Sequence, residues 1–254
     1  MTAYLDGSGP RAFAHRGWHI GDLAGCENTM AAFTRAVDEG YRYLETDVHA
    51  TADGVLIAFH DHHLDRVTDG RGRIRDLTWD EVSKARIGGR EPIPLMAEVL
   101  EALPHARFNI DPKSDRAVGP LIDLLRTSRA VDRVGLGSFS DHRLTTLQRA
   151  LGPTVATSLG PRAVGMLAAA ANLRLPARVG AAVAAQVPVR YGAITVVGRA
   201  FLKTAHAAGI EVHVWTINEA DEMRRLLDLG VDGIMTDRPD TLRLVLAERG
   251  QWEG

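Results

Sequence analysis

The sequence predicts a (β/α)₈ TIM barrel, an α/β fold in which eight parallel strands alternate with helices. β-like runs begin near residues 12, 43, 107, 134, 154, 193, 211 and 233, and nearly all of them are followed by a helical pattern. Alternation of strands and helices implies parallel pairing, and eight such units within 254 residues match the size of this barrel. A doubly wound open sheet is the alternative arrangement of the same units.

The composition describes a chain that can bury a sizeable core, since 45% of its residues are hydrophobic and 24% are charged. Lys and Arg number 30 and Asp and Glu 32, so the net charge of −2 gives no electrostatic reason to expect a nucleic acid or an anionic membrane as partner. Cys26 is the single cysteine, which excludes an internal disulfide and suits a reducing compartment.

Neither a signal peptide nor a membrane span is indicated. Residues 1–10 lack a basic start followed by an apolar run, and the most apolar long stretch, residues 164–185, is interrupted by Asn, Arg and Pro. We therefore expect a cytoplasmic protein without stable membrane insertion.

One domain is expected over residues 1–254, with a small irregular insertion after the second strand. Asp53-Gly54 lies between two β runs, which is a strong hairpin signal, so residues 55–60 should form a return arm that brings His60 back toward that strand. Residues 62–92 then follow, polar and rich in glycine, as an excursion over the active-site face of the barrel.

The second strand carries the most unusual pattern of the chain. Residues two apart in a strand point to one face, so Glu45, Asp47 and His49 should share a face. Two carboxylates packed together inside a domain cost free energy through desolvation and repulsion, and a hard divalent cation such as Mg²⁺ or Ca²⁺ is the usual compensation. A solvated edge strand is the alternative interpretation.

Polar side chains also cluster where the predicted strands end, which is where barrel enzymes place their active sites. The residues at these positions are His15 and Arg16 in the first strand, Asp111 and Lys113 in the third, Ser138 in the fourth, Trp215 in the seventh and Asp237 in the eighth.

Taken in order, these motifs resemble the glycerophosphodiester phosphodiesterase family over residues 12 to about 240. They are His15-Arg16-Gly17, Glu27-Asn28-Thr29, Glu45-x-Asp47, His60-Asp61, Asp111-x-Lys113, Trp215-Thr216 and the run from Asp232 to Pro239. The resemblance implies a (β/α)₈ barrel, one divalent cation, Mg²⁺ or Ca²⁺, and a small-molecule phosphodiester substrate that is hydrolysed to glycerol 3-phosphate and an alcohol.

The resemblance also implies roles for individual residues. Metal-binding carboxylates are matched by Glu45, Asp47 and Asp111, acid/base histidines by His15 and His60, phosphate-facing cations by Arg16 and Lys113, and the aromatic residue of the pocket wall by Trp215. Outside these roles, Asn28 is expected to cap a helix, and His49 and Asp237 to be structural.

One departure from the family pattern leaves the substrate open. The family has Glu where this chain has Asp111, and the shorter side chain requires the cation to sit closer to the third strand or to be bridged by water. Enzymes of the related sphingomyelinase D type carry Asp at this point. The alternatives are therefore a lysophospholipase D type enzyme that cuts lyso-lipid head groups, or a catalytically weak protein that binds phosphate ligands.

Overall fold

The computed structural model describes residues 3–252, so the two residues at each end of the expected 1–254 domain lie outside it. The strands are β1 (Arg11–His15), β2 (Tyr43–Ala50), β3 (Leu56–Ala58), β4 (Arg86–Ile87), β5 (Glu91–Pro92), β6 (Arg107–Pro112), β7 (Val134–Leu136), β8 (Ala156–Thr157), β9 (Ala184–Pro188), β10 (Arg190–Tyr191), β11 (Ile194–Thr195), β12 (Glu211–Trp215) and β13 (Gly233–Thr236). The α-helices are α1 (Met30–Asp38), α2 (Trp79–Val82), α3 (Met96–Ala102), α4 (Asp115–Thr127), α5 (Asp141–Leu151), α6 (Pro161–Leu173), α7 (Arg199–Ala207), α8 (Ala220–Leu229) and α9 (Pro239–Glu248).

Eight parallel strands form the barrel, which confirms the predicted fold class. Their order is β8-β7-β6-β2-β1-β13-β12-β9. The two ends of this sheet meet at a parallel bridge between Ser158 and Ala184, and the backbone N–H of Leu159 donates to the carbonyl of Ala184 at 2.8 Å. The carboxyl ends of all eight strands therefore surround one mouth.

The position predicted for the sixth barrel strand is wrong. The sequence placed it from residue 193, whereas β9 pairs with β12 inside the barrel, and β10 and β11 form a separate antiparallel hairpin. The β-branched residues 194–197 have the higher strand propensity, whereas three of the five residues of β9 are alanine or proline. Pairing with β12 makes β9 the barrel strand. The hairpin projects Tyr191 and Ile194, which are 76% and 67% exposed.

The core lies in layers inside and around the barrel. The helices bury their apolar faces against the outer surface of the strands in two large clusters. Inside the barrel, Tyr4 packs with Phe13, Tyr43 and Met235. Gly135 makes room for this packing, because a Cβ at that position would lie 2.4 Å from the Tyr4 ring. None of the helices formed by residues 3–252 has the length and apolar character needed to cross a membrane.

The predicted return arm is confirmed. β3 pairs antiparallel with the end of β2, with Val48 opposite Ala58. The segment that follows contains short elements and its own apolar cluster, built from Ile57, Phe59, Leu64, Ile74, Val82, Ala85, Ile87 and Ile93. The insertion is thus anchored by burial on the arm that carries His60 toward β2.

His49 joins β2 to the end of this arm. Its side chain is only 3% exposed, and its Nε2–H donates to the backbone carbonyl of His60 at 3.0 Å. Burial is the main reason that the pKa of His49 falls from 6.5 to about 4. The neutral ring therefore holds the His60 backbone in place.

We predict that His49 makes folding stability depend on pH. The unfolded chain takes up a proton at this residue near pH 6.5, but the folded chain does so only near pH 4, so the free energy of unfolding falls as the pH drops between these values. The full loss is about 3 kcal/mol. His49→Gln keeps a donor near Nε2 without a titrating ring. Urea unfolding at pH 7 and pH 4.5 should show a smaller loss for this variant than for the wild type.

The matched control is His105→Gln, because His105 is exposed on the surface. This variant should lose as much stability as the wild type between the two pH values. If His49→Gln and the wild type lost the same free energy of unfolding between pH 7 and pH 4.5, His49 would not be the source of the pH dependence.

Candidate active site

Strand register brings the predicted carboxylates together. His15 of β1 lies beside Glu45 of β2, and Asp47 of β2 lies beside Asp111 of β6. Every residue of β2 is buried, and Glu45, Asp47 and Asp111 are 5%, 1% and 7% exposed. The solvated edge-strand alternative is therefore wrong, because β2 lies between β1 and β6 inside the sheet.

Two cations compensate these buried charges. The ammonium of Lys113 lies 2.6 Å from Asp47 Oδ1 and 2.9 Å from Asp111 Oδ2, and Arg16 Nε lies 3.3 Å from Asp47 Oδ2. Burial alone would raise the pKa of Asp47, but the charges of Lys113 and Arg16 outweigh it and lower that pKa. Arg16 and Lys113, predicted to face phosphate, are thus also in contact with the carboxylates.

The other two carboxylates are less well compensated. Burial, followed by the negative charge of Asp47, raises the pKa of Glu45. Burial likewise raises the pKa of Asp111 despite its contact with Lys113. A further positive charge nearby would therefore stabilise the ionised form of both Glu45 and Asp111.

By donor type, though not by their grouping in this structure, the three carboxylates suit a hard divalent cation. Glu45 Oε2, Asp47 Oδ2 and Asp111 Oδ1 are buried and, within residues 3–252, have no hydrogen-bond partner. Oxygen atoms of this kind are the ligands that Mg²⁺ and Ca²⁺ prefer. Among the same described residues, however, no three His, Cys, Asp or Glu side chains are grouped so that they could hold a metal ion. The ammonium of Lys113 bridges two of the three carboxylates instead.

A carboxylate orients His15. Asp237 Oδ1 lies 2.6 Å from His15 Nδ1, and Asn218 Oδ1 accepts from the backbone N–H of Asp237 at 2.9 Å. Burial opposes protonation of His15, but Glu45 and Asp237 outweigh it and raise its pKa. Asp237 was expected to be only structural; the parallel pairing of β1 with β13 places it against this histidine.

A second carboxylate orients His60. Asp61 Oδ1 lies 2.6 Å from His60 Nδ1, and Arg66 Nε donates to Asp61 Oδ2 at 2.6 Å. Arg66 also bonds Glu27 at 2.7 Å and 3.0 Å, and Glu27 accepts from Arg16 Nη1 at 2.9 Å. Alternating charges therefore connect the carboxylates of β2 to His60.

The loop after β1 adopts an uncommon backbone that positions Arg16. Arg16 and Gly17 have φ values of 58° and 84°, and a Cβ on Gly17 would lie 2.8 Å from the backbone of Ala32. Asn28 was expected to cap the next helix, but Thr29 does so, since its hydroxyl accepts from the N–H of Ala32 at 3.1 Å. The side chain of Asn28 instead accepts from Thr46 at 2.8 Å.

An aromatic pair lies at the same mouth. Trp215 ends β12, is partly buried, and packs against the apolar cluster inside the barrel. Its ring meets the Phe139 ring edge to face at a centroid distance of 5.5 Å. Phe139 follows β7 and is 68% exposed.

Sequence reasoning assigned no role in the site to several residues that the fold brings there. They are Glu27, Asp61, Arg66, Phe139 and Asp237. Asp61 and Glu27 belong to the family motifs His60-Asp61 and Glu27-Asn28-Thr29. A search for a carboxylate next to each histidine would have found Asp61. Asp237 directly follows β13, and its partner His15 is distant in the chain, so only the pairing of β1 with β13 brings the two together.

Comparison with known proteins identifies the family of this chain. The family model for the glycerophosphoryl diester phosphodiesterase family matches residues 15–241. A Mycobacterium tuberculosis relative named "Probable glycerophosphodiester phosphodiesterase 2" is 40% identical over 255 residues, covering 99% of this chain and 96% of the relative.

Solved structures share the fold. A glycerophosphodiester phosphodiesterase from Agrobacterium tumefaciens has a TM-score of 0.76 and 25% identity, with 94% of this chain and 99% of that chain covered. A phosphodiesterase from Oleispira antarctica in complex with the product sn-glycerol-3-phosphate has a TM-score of 0.77 and 22% identity, with 94% and 97% covered. The ordered motifs, the barrel and the match over nearly the whole length lead to one conclusion: the chain belongs to the glycerophosphoryl diester phosphodiesterase family.

Proposed function

We propose that this phosphodiesterase acts as one barrel domain that hydrolyses glycerophosphodiesters to glycerol 3-phosphate and an alcohol, using one divalent cation and acid/base catalysis by His15 and His60. The observation that carries the proposal is the pair of histidine–carboxylate contacts beside the buried carboxylates, at 2.6 Å for His15–Asp237 and 2.6 Å for His60–Asp61. Family membership and the product complex of the Oleispira antarctica protein support the substrate class.

The two contacts assign the protons of the rings. A carboxylate accepts only, so Nδ1–H of each histidine donates to its aspartate, and Nε2 is the atom left to exchange a proton with the substrate. Nε2 of His15 lies 3.7 Å from Glu45 Oε2, beyond hydrogen-bond distance. One Nε2 can then remove a proton from the attacking hydroxyl while the other protonates the leaving alkoxide.

Charge stabilisation would come from the same cations that balance the carboxylates. A phosphodiester carries one negative charge, and more charge develops on its phosphoryl oxygens in the transition state. Arg16 and Lys113 would approach these oxygens from the carboxylate side of the mouth. Trp215 would form part of the opposite wall.

Glu45, Asp47 and Asp111 would hold the divalent cation. When bound, such an ion supplies Lewis-acid stabilisation of negative charge on oxygen. The three carboxyl groups each keep one buried oxygen without a hydrogen-bond partner among the described residues, which is why we assign the ligands to them.

Metal removal tests the assignment of a divalent cation. Release of glycerol 3-phosphate from glycerophosphocholine should stop after dialysis against EDTA and return on addition of Mg²⁺, Ca²⁺ or Mn²⁺, because the buried carboxylates then regain their cation. Metal content measured on the dialysed protein is the control. Full turnover by protein free of divalent metal would contradict the assignment of a cation.

Histidine substitutions test the proton transfers. His15→Ala and His60→Ala should each lower kcat by roughly 10²- to 10⁴-fold, the usual contribution of a general acid or base. Asp237→Asn should also lower kcat with little effect on KM, because it removes the negative charge that faces His15 Nδ1 at 2.6 Å and His19 Nε2 at 3.3 Å. The exposed His105→Ala serves as the control and should retain wild-type kinetics. Near wild-type turnover in either catalytic variant would exclude that histidine.

Asp111 distinguishes a ligand from a structural carboxylate. Asp111→Asn should raise the cation concentration for half-maximal activity on the order of ten-fold or more, since one charged oxygen ligand is lost. Asp111→Glu, the residue usual in the family, should keep the cation requirement close to that of the wild type. A lower kcat with unchanged cation dependence in Asp111→Asn would instead indicate that Asp111 only holds Lys113.

A further inference from the structure

We infer that Phe139 and Trp215 form a subsite for the alcohol half of the substrate, and that this subsite selects a quaternary ammonium head group of the choline type. The inference rests on the proposed function and assigns a specificity role to a residue outside the quoted motifs. The two rings lie at the catalytic mouth, because Phe139 follows β7 and Trp215 ends β12.

Phe139 borders the charged part of the site. The Lys113 ammonium lies over the Phe139 ring, 6.0 Å from its centroid, while it also contacts Asp47 and Asp111. Trp215, at the end of β12, contacts the same ring at a centroid distance of 5.5 Å. A ligand bound at the Lys113 ammonium would therefore extend along the Phe139 ring toward Trp215.

The exposed ring is itself unusual. Phe139 leaves 68% of its surface open at the mouth of a polar site, where a bound group could cover it. Exposed apolar surface next to convergent polar groups is typical of ligand pockets. We therefore treat the ring as a contact surface for substrate and not as part of the core.

Hydrogen-bonding capacity decides which half of the substrate meets the rings. The glycerol half has free hydroxyls that need polar partners, and Arg16, His15 and the carboxylates offer them. Phe139 offers none, and Trp215 offers a single N–H donor. The alcohol half is consequently the part that fits against the rings.

The same argument selects among alcohols. A primary ammonium or a polyol would bring donors that find no acceptor on either ring, whereas a trimethylammonium group has no N–H or O–H to satisfy. Aromatic faces attract such a cation, and two rings with an interplanar angle of 78° form a corner around it. Lys113 lies between Asp47 and Asp111, at 2.6 Å and 2.9 Å, so a cation at the rings would meet two carboxylates as well as the ammonium.

The test compares kcat/KM for glycerophosphocholine and glycerophosphoethanolamine, measured as glycerol 3-phosphate release with the restoring cation present. The wild type should prefer the choline diester. Phe139→Leu, which keeps an apolar side chain without a π face, should lower kcat/KM for the choline diester by roughly two- to thirty-fold and leave the ethanolamine diester nearly unchanged. Phe139→Tyr should retain the preference.

The control is Tyr191→Leu, which removes an equally exposed ring from the β10–β11 hairpin and should leave the preference unchanged. Equal losses on both diesters, or none, in Phe139→Leu would overturn the inference. A loss seen with lysophosphatidylcholine but not with glycerophosphocholine would overturn it too, because the ring would then contact the acyl chain. No product from any diester with the wild type would instead reject the proposed function, and this inference with it.

Discussion

The structure depends on how the buried carboxylates of β2 and β6 are neutralised. Asp47 and Asp111 are register neighbours on adjacent parallel strands, and Lys113 lies between their oxygens. Removing one partner from a buried ion pair costs roughly 3–5 kcal/mol, because the other charge is then left unpaired. The cluster is therefore a place where stability and function use the same residues. Arg16 and Lys113 contact the buried carboxylates, and under the proposed function they would also face an anionic substrate.

From this cluster, alternating charges extend outward to one of the histidines. Arg16 contacts Asp47 and Glu27, and Arg66 then connects Glu27 to Asp61, the partner of His60. Arg66 is half exposed, so each of its ion pairs contributes little free energy. Its bidentate contacts with Glu27 and Asp61 nevertheless fix the orientation of these two carboxylates. On the other side of β1, Asp237 orients His15 directly. The two histidines are thus oriented differently: His60 by a chain of ion pairs, and His15 by the pairing of β1 with β13.

The mouth has two chemically different walls. One carries the carboxylates, Arg16 and the two histidines, while the other carries the rings of Phe139 and Trp215. Under the proposed function, the glycerol phosphate half of the substrate would meet the first wall and the alcohol half, with fewer hydrogen-bonding groups, the second. His49 supports the position of His60, because its ring, neutral at pH 7, donates a hydrogen bond to the His60 backbone carbonyl.

The sequence by itself determined the barrel and named most residues of the candidate site, because strand–helix alternation and the placement of polar residues at strand ends are local patterns. His15, Glu45, Asp47, Asp111 and Lys113 could be named from it, since each lies within or beside a strand whose period is two. It also favoured residues 193–197 as a barrel strand, because propensity ranks them above the alanine-rich β9. Only the tertiary structure decided that β9 is the strand, that Lys113 bridges two carboxylates, and that Asp237 and Phe139 reach the mouth. These outcomes depend on register and closure between segments up to 222 residues apart in the chain, such as His15 and Asp237, and no local pattern encodes that distance.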